Sequence, residues 1–217
     1  MEYFYVDSNS SFTELVCDLV YKEYLRSLRL NGEFNVALTG GKTPIHIYDG
    51  LKKRYLELIN WSRVNFYFID ERCVPKSSKH SNFGVAKEHL LDFIEGYRVY
   101  RIQGEIDPGE AAIRYANILE DVDLHLAILG IGEDGHVGSI FPGSPELESN
   151  RTVVSTTLRH GGFLRISLSL KRIDAIAFKL LIVNSNEKKL NVLRSGDIDY
   201  PINRLSDLHV VVNTTKK

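Results

Sequence analysis

The sequence predicts an α/β protein built on one open, mostly parallel sheet with helices on both faces. Three observations lead there. Short apolar runs alternate along the chain with longer stretches of helical period, the order expected of strands joined by crossover helices. FNVAL (34–38), LHLAIL (124–129) and AFKLLIV (177–183) have the length and apolarity of strands buried on both faces. The chain is 217 residues long, carries no internal repeat, low-complexity segment or long linker, and is read as a single domain over 1–217.

EYFYV (2–6) reads as the first strand. The next stretch, 10–28, sets Phe12, Leu15, Val16, Leu19 and Val20 on one helical face, with Ser11 and Glu14 resembling a capping box. FNVAL ends in Thr39-Gly40-Gly41, and a helix is expected from Pro44, a first-turn proline, through residue 59. VNFYFID (64–70) is a strand and 81–94 a helix capped by Ser81 or Asn82. After VYRI (99–102), Asp107-Pro108 opens a helix to about Leu119. LHLAIL, FLRISLSL (163–170), AFKLLIV, a short Lys-rich helix and LHVVV (208–212) complete the series.

Lys plus Arg number 27 against 28 Asp plus Glu, a net charge of −1, so no bulk field draws the chain to nucleic acid or to an anionic membrane. An anionic ligand has to be met by a local cluster. Cys17 and Cys73 lie far apart and in no metal-ligand spacing, as expected of a reduced intracellular compartment with both thiols as small core residues. The N-terminus lacks a basic segment followed by an apolar run, and no apolar stretch approaches the ~20 residues of a bilayer span. A cytoplasmic protein is expected.

In an open parallel sheet, ligands bind beyond the carboxyl ends of the strands. The stretches there are TGGKTP, DERCVP and GIGEDGH. In TGGKTP, Gly40 and Gly41 permit a sharp turn, the following helix offers unpaired N–H groups, and Lys42 and Thr43 add a cation and a hydroxyl, a combination suited to a phosphate monoester. A plain strand-to-helix turn with an exposed lysine is the blander reading. Asp70-Glu71-Arg72 is either a solvated loop start or a functional cluster, Arg72 forking an oxyanion and Asp70 orienting a hydroxyl. Gly130-Ile131-Gly132-Glu133-Asp134-Gly135 spells the dinucleotide pattern G-x-G-x-x-G, but Glu133 and Asp134 would oppose a pyrophosphate, and no acid-ended strand follows some twenty residues later. The nucleotide reading is set aside. His136 remains, a proton-transfer candidate in a Gly-rich turn beside Asp134. Arg165, inside an apolar strand, needs an anionic partner, either a carboxylate or a ligand. Lys188, next to Lys189, is solvated by default. No histidine or cysteine spacing suggests a metal, and no cofactor is expected.

ALTGGKTP, FIDERCVP followed by SNFGVAKEHLL, and LGIGEDGHVGSIFPG resemble in order and spacing the three signature blocks of the 6-phosphogluconolactonases, in the superfamily shared with glucosamine-6-phosphate deaminases. The likeness spans nearly the whole chain. It implies a Rossmann-like fold without nucleotide and a small-molecule partner, the δ-lactone of 6-phosphogluconate. It places Gly41, Lys42 and Thr43 in a phosphate loop beside Gly40, gives Arg72, Arg165 and Lys188 as cationic contacts, and makes His136 the general base. Asp134 and Asp70 are carried as its catalytic neighbours. LRHGGFLR stands where the family has a Pro-rich approach to its arginine strand, and Ser185 and Lys189 replace small residues around Lys188. The deaminase motif looks like a histidine, four intervening residues and then Glu-Pro-Gly, with that carboxylate used in sugar ring opening; here Phe141 precedes Pro142-Gly143. A phenyl ring carries no proton, which favours the lactonase over the deaminase, while a non-catalytic sugar-phosphate binder would be expected to lose His136 or the glycines around it, and both are present. The sequence leaves the oligomeric state open.

Overall fold

The computed structural model describes residues 1–184 and 186–215. The chain runs β1 (Glu2–Val6), α1 (Asn9–Asn31), β2 (Phe34–Leu38), α2 (Lys42–Tyr55), β3 (Val64–Phe68), β4 (Asp70–Arg72), α3 (Asn82–His89) and β5 (Arg98–Val99). There follow α4 (Pro108–Ile118), β6 (Leu126–Leu129), β7 (Val153–Ser155), β8 (Arg165–Leu168), α5 (Leu170–Asp174), β9 (Phe178–Asn184), α6 (Glu187–Ser195) and β10 (Leu208–Asn213). Seven strands form a sheet in the order β1-β10-β9-β6-β2-β3-β5, with all of its pairings parallel. β4, β8 and β7 form a second, antiparallel sheet.

The strand order fixes where a ligand can sit. From β2 the chain steps outward through β3 to β5, then returns to the other side of β2 with β6 and continues through β9 to β10. Right-handed crossovers in opposite directions put α2 and α3 on one face and α4 and α6 on the other. α1 packs on α2, and α2 on α3, as that predicts, while α4 packs on β7 and β8. The reversal between β2 and β6 opens a crevice at their carboxyl ends. TGGKTP leaves β2 there and GIGEDGH leaves β6. Beneath them one continuous apolar cluster extends from Phe12 to Val212 and includes all of β6 and most of β9 and β10.

Several elements differ from expectation for physical reasons. Ser8, not Ser11, caps α1, its side chain accepting from the Ser11 N–H. Pro44 is the third residue of α2, which starts at Lys42 and stops at Tyr55. Asp70–Arg72 is neither loop nor continuation of β3, but a strand of the second sheet. The helix expected to reach residue 94 breaks at Leu90, which leaves helical geometry so that Leu90 and Leu91 are both buried. β5 overlaps the run 99–102 only at Val99, and β6 is shorter than the run 124–129. The run 163–170 is divided, because Ser169 caps α5 with its side chain. Cys17 is buried, whereas Cys73 is only partly so.

The Glu71 carboxylate is the main tie between β4 and the start of α3. Glu71, 2% exposed, accepts from the N–H groups of Arg72, Asn82 and Phe83 at 2.8, 2.7 and 2.9 Å and from the Ser81 hydroxyl at 2.9 Å. Glu71→Ala strands these buried donors, and the expected loss is about 3 kcal/mol or more. At roughly 2–4 °C per kcal/mol for a chain of this size, thermal unfolding should move down by about 6–12 °C.

Candidate functional site

The crevice between the β2 and β6 ends is a cleft of about 280 Å³, lined by Gly40, Gly41, Lys42, Thr43, Asp70, Arg72, His136, Arg165 and Lys189 among others. One wall is the β2–α2 turn. Gly41 has φ of 110°, a conformation that disfavours any side chain, and no side chain caps α2. The first N–H groups of α2 are therefore left for a ligand, with the helix dipole favouring an anion.

The second wall is made by two arginines. Arg72 on β4 and Arg165 on β8 stand directly opposite one another across an antiparallel pair. Among the described residues neither has a carboxylate at ion-pair distance. Each is held instead by a backbone carbonyl: Arg72 Nη1 donates to His80 O at 2.9 Å, and Arg165 Nε and Nη2 donate to His160 O at 3.3 and 3.1 Å. Arg72 Nε is buried without a partner. Burial, assisted by the Arg72 charge, holds the Arg165 guanidinium below its ordinary pKa, although Asp70 opposes the shift. Two like charges kept side by side with spare donors are poised for an oxyanion.

The third wall is the turn after β6. Asp134 Oδ1 lies 2.6 Å from His136 Nδ1 and accepts from the His136 N–H at 3.3 Å. An Nδ1–H donated to a carboxylate fixes the tautomer and leaves Nε2 with a free lone pair. Burial alone would raise the Asp134 carboxyl, but the His136 charge and its hydrogen bonds outweigh that and hold it below the usual range. Gly132 of the G-x-G-x-x-G stretch makes room for this pair. A Cβ on Gly132 would stand 2.1 Å from His136 Nδ1 and 2.3 Å from Asp134 Oδ1. Gly135, at φ of 78°, passes so close under Tyr200 that a Cβ would meet its ring at 2.6 Å.

Asp70 sits 4% exposed at the floor, Oδ2 accepting from the Ser139 hydroxyl at 2.7 Å and Oδ1 from Asn82 Nδ2 at 3.0 Å. Among the described residues no cation lies at ion-pair distance from its carboxylate, although its charge acts on Arg165. Among the described residues no three His, Cys, Asp or Glu side chains converge as a metal site, and no helix is long and apolar enough to cross a membrane.

The cleft thus gathers nearly all of the sequence-derived residues. Asp134 touches it only through His136. Lys188 is the exception: its side chain is 77% exposed and pairs with Glu133 at 3.4 Å. Lys189 lines the cleft in its place, with burial holding its ammonium below the ordinary range against the pull of Glu133 and Asp134. The helical period contained that signal, since Lys189 shares a face of α6 with the buried Val192 and Leu193. Ser185, the other departure in this segment, lies outside the described residues. Lys189→Ala should weaken anion binding by about tenfold or more, the value of one charge-assisted hydrogen bond. Lys188→Ala should change it less than about twofold, as for an exposed ion pair. Titration of both variants with inorganic phosphate, followed by thermal shift, separates the two lysines.

An open parallel sheet with an anion seat and a carboxylate–imidazole pair at its switch point defines a class of small-molecule α/β proteins. The comparisons specify it further. Residues 7–210 match the family described as glucosamine-6-phosphate isomerases/6-phosphogluconolactonase, and the chain belongs to that family. It is 31% identical over 184 residues to a 6-phosphogluconolactonase of Haemophilus influenzae, covering 82% of this chain and 79% of that one. A crystal structure of 6-phosphogluconolactonase from Thermotoga maritima superposes with a TM-score of 0.87 at 24% identity, covering 98% of each chain. A monomeric glucosamine-6-phosphate deaminase superposes with a TM-score of 0.85 at 17% identity, covering 98% of this chain and 97% of that one. The fold is therefore common to both activities, and the site has to distinguish them.

Proposed function

We propose that this chain, acting as a single domain, hydrolyses 6-phospho-D-glucono-1,5-lactone to 6-phosphogluconate, the lactone-opening step of the oxidative pentose phosphate pathway. The observation that carries this reading is the Asp134–His136 pair facing a cleft whose other walls are built for an anion. The phosphate is held by the α2 N-terminus with Gly40, Gly41, Lys42 and Thr43, supported by Arg72, Arg165 and Lys189. The lactone carbonyl carbon then lies beside His136. Nε2 takes a proton from water as the water oxygen bonds to C1. When the tetrahedral intermediate collapses, the C1–O5 bond breaks and the imidazolium returns the proton to O5. Asp134 holds the ring and stabilises the transient imidazolium; Asp70 accepts from a sugar hydroxyl.

Phe141 weighs against the deaminase. Its ring centroid is 4.5 Å from that of His136, and the side chain is buried. An apolar face occupies the side of the imidazole where ring opening of a hemiacetal requires a second proton carrier. Hydrolysis of a lactone has no such step. The two free thiols, Cys17 and Cys73, support a reducing, cytoplasmic setting.

The test is the disappearance of freshly prepared lactone at mildly acidic pH, where spontaneous hydrolysis is slow, alongside ammonia release from glucosamine-6-phosphate. Lactone loss well above background with no ammonia is the expected result. Ammonia release would overturn the assignment, and binding without turnover of either compound would reduce the protein to a sugar-phosphate binder.

A further inference from the structure

The segment His160-Gly161-Gly162-Phe163 lies outside the cleft lining, yet it touches Arg165 directly and reaches His136 and Arg72 through one intervening residue each, Phe141 and His80. Its backbone closes on itself. His160 and Phe163 exchange backbone hydrogen bonds at 2.9 and 3.3 Å, and Gly161 and Gly162 between them have φ of 61° and 87°. That is a two-residue hairpin turn with both central residues left-handed, a conformation Gly-Gly adopts without strain. From this turn the His160 ring stacks flat on Phe141, 3.5 Å between centroids and 4° between planes. Phe141 also meets the His136 ring, 4.5 Å between centroids, and lies under the Arg165 guanidinium, 5.6 Å from the ring centre. The carbonyl of the same His160 receives both Arg165 bonds. Phe163 packs on the His80 ring at 4.9 Å, and His80 supplies the carbonyl that holds Arg72.

We propose that the His160–Phe163 turn is the brace that sets the imidazole of His136 and the two arginines relative to one another, with His160 as a positioning residue. Its imidazole acts through Phe141 as a planar wedge, and its carbonyl aims Arg165. No proton passes through it, because a phenyl ring separates it from His136. A misplacement of about an ångström at a reacting group can cost up to about a hundredfold in rate, so a wedge of this kind has leverage.

The assignment separates the two functions of His160, since the carbonyl survives substitution and the ring does not. His160→Ala should lower kcat for the lactone by about tenfold with KM changed less than about twofold, because the arginine seat persists. His160→Phe keeps a flat ring and should restore kcat to within about twofold of wild type. The kinetic half rests on the lactonase reading above, so a second measurement is independent of it. The ring-proton resonances of His136, which sense the ring current of Phe141, should move in His160→Ala and stay in place in His160→Phe. Unchanged His136 resonances in His160→Ala would overturn the brace. So would a His160→Phe protein that melts like wild type but is as slow as His160→Ala. Absence of lactonase activity in wild type, with the resonances behaving as described, would sink the proposed function and leave the brace standing.

Discussion

His136→Ala is expected to lower kcat/KM for lactone hydrolysis by ~10²–10⁴-fold, the usual contribution of a positioned general base. On the proposed mechanism His136 acts on the attacking water and the phosphate is held by other elements, so the loss should fall on kcat. Asp134→Asn tests the pair from its other end. An amide in place of the carboxylate no longer stabilises an imidazolium and can present its NH2 to Nδ1, favouring the tautomer with Nε2 protonated and unable to act as base. Its kcat should fall by roughly an order of magnitude or more while KM stays near wild type. The pH dependence has a defined sign. Asp134 is held below the ordinary carboxylate range by its bonds to His136, so it remains ionised throughout the neutral region. What the pair gains from that charge is present above the ordinary carboxylate pKa and is lost only as pH falls through the lowered one. Rates for wild type, His136→Ala and Asp134→Asn, measured against pH with spontaneous hydrolysis subtracted, check all three points. Equal rates in wild type and His136→Ala would remove His136 from the chemistry while leaving the cleft as the binding site.

The parts of this site that were legible in the sequence are the ones fixed by backbone. FNVAL and LHLAIL are too apolar to be anything but buried strands, so the Gly-rich segments after them had to emerge at the same edge of the sheet. Gly41, Gly132 and Gly135 then mark where the chain turns sharply or passes close to a side chain. What was not legible depends on contacts distant in sequence. Asp70-Glu71-Arg72 reads as a charged loop because three polar residues in a row carry no strand period. Only the pairing with β8, nearly a hundred residues later, makes them a strand and sets Arg72 against Arg165. Glu71 resembles a solvated acid until the N-terminus of α3 closes over it. The choice between Lys188 and Lys189 turns on about 100° of helix rotation, which short-range spacing leaves open unless the buried face of α6 is identified first. His160 stands in the LRHGGFLR departure, and nothing in that stretch shows that its ring stacks on Phe141 of the third block or that its carbonyl meets the Arg165 guanidinium.

The facing arginines should show opposite effects on stability and on binding. Like charges directly opposite on an antiparallel pair are destabilising, by about 0.2–1 kcal/mol. Here no carboxylate at ion-pair distance neutralises either of them among the described residues, and Arg72 Nε is left buried and unpaired. A chain selected only for stability would not keep this arrangement; one that binds an oxyanion gains from it, because the donors are in place before the ligand arrives. Arg72→Met keeps the apolar stem and removes the charge. Without ligand the variant should melt at the wild-type temperature or about 1–3 °C above it. With the lactone its KM should rise by about tenfold or more, the loss of one to two charge-assisted hydrogen bonds. Arg165→Met should behave alike. The double variant should lose less than the product of the two, since each arginine is part of the other's electrostatic environment. Inorganic phosphate makes the same comparison without turnover: it should raise the melting temperature of wild type and do so much less in either variant. A ligand-free Arg72→Met protein that melts well below wild type would mean that the guanidinium stabilises the fold, and the case for a seat held open for an anion would fail with it.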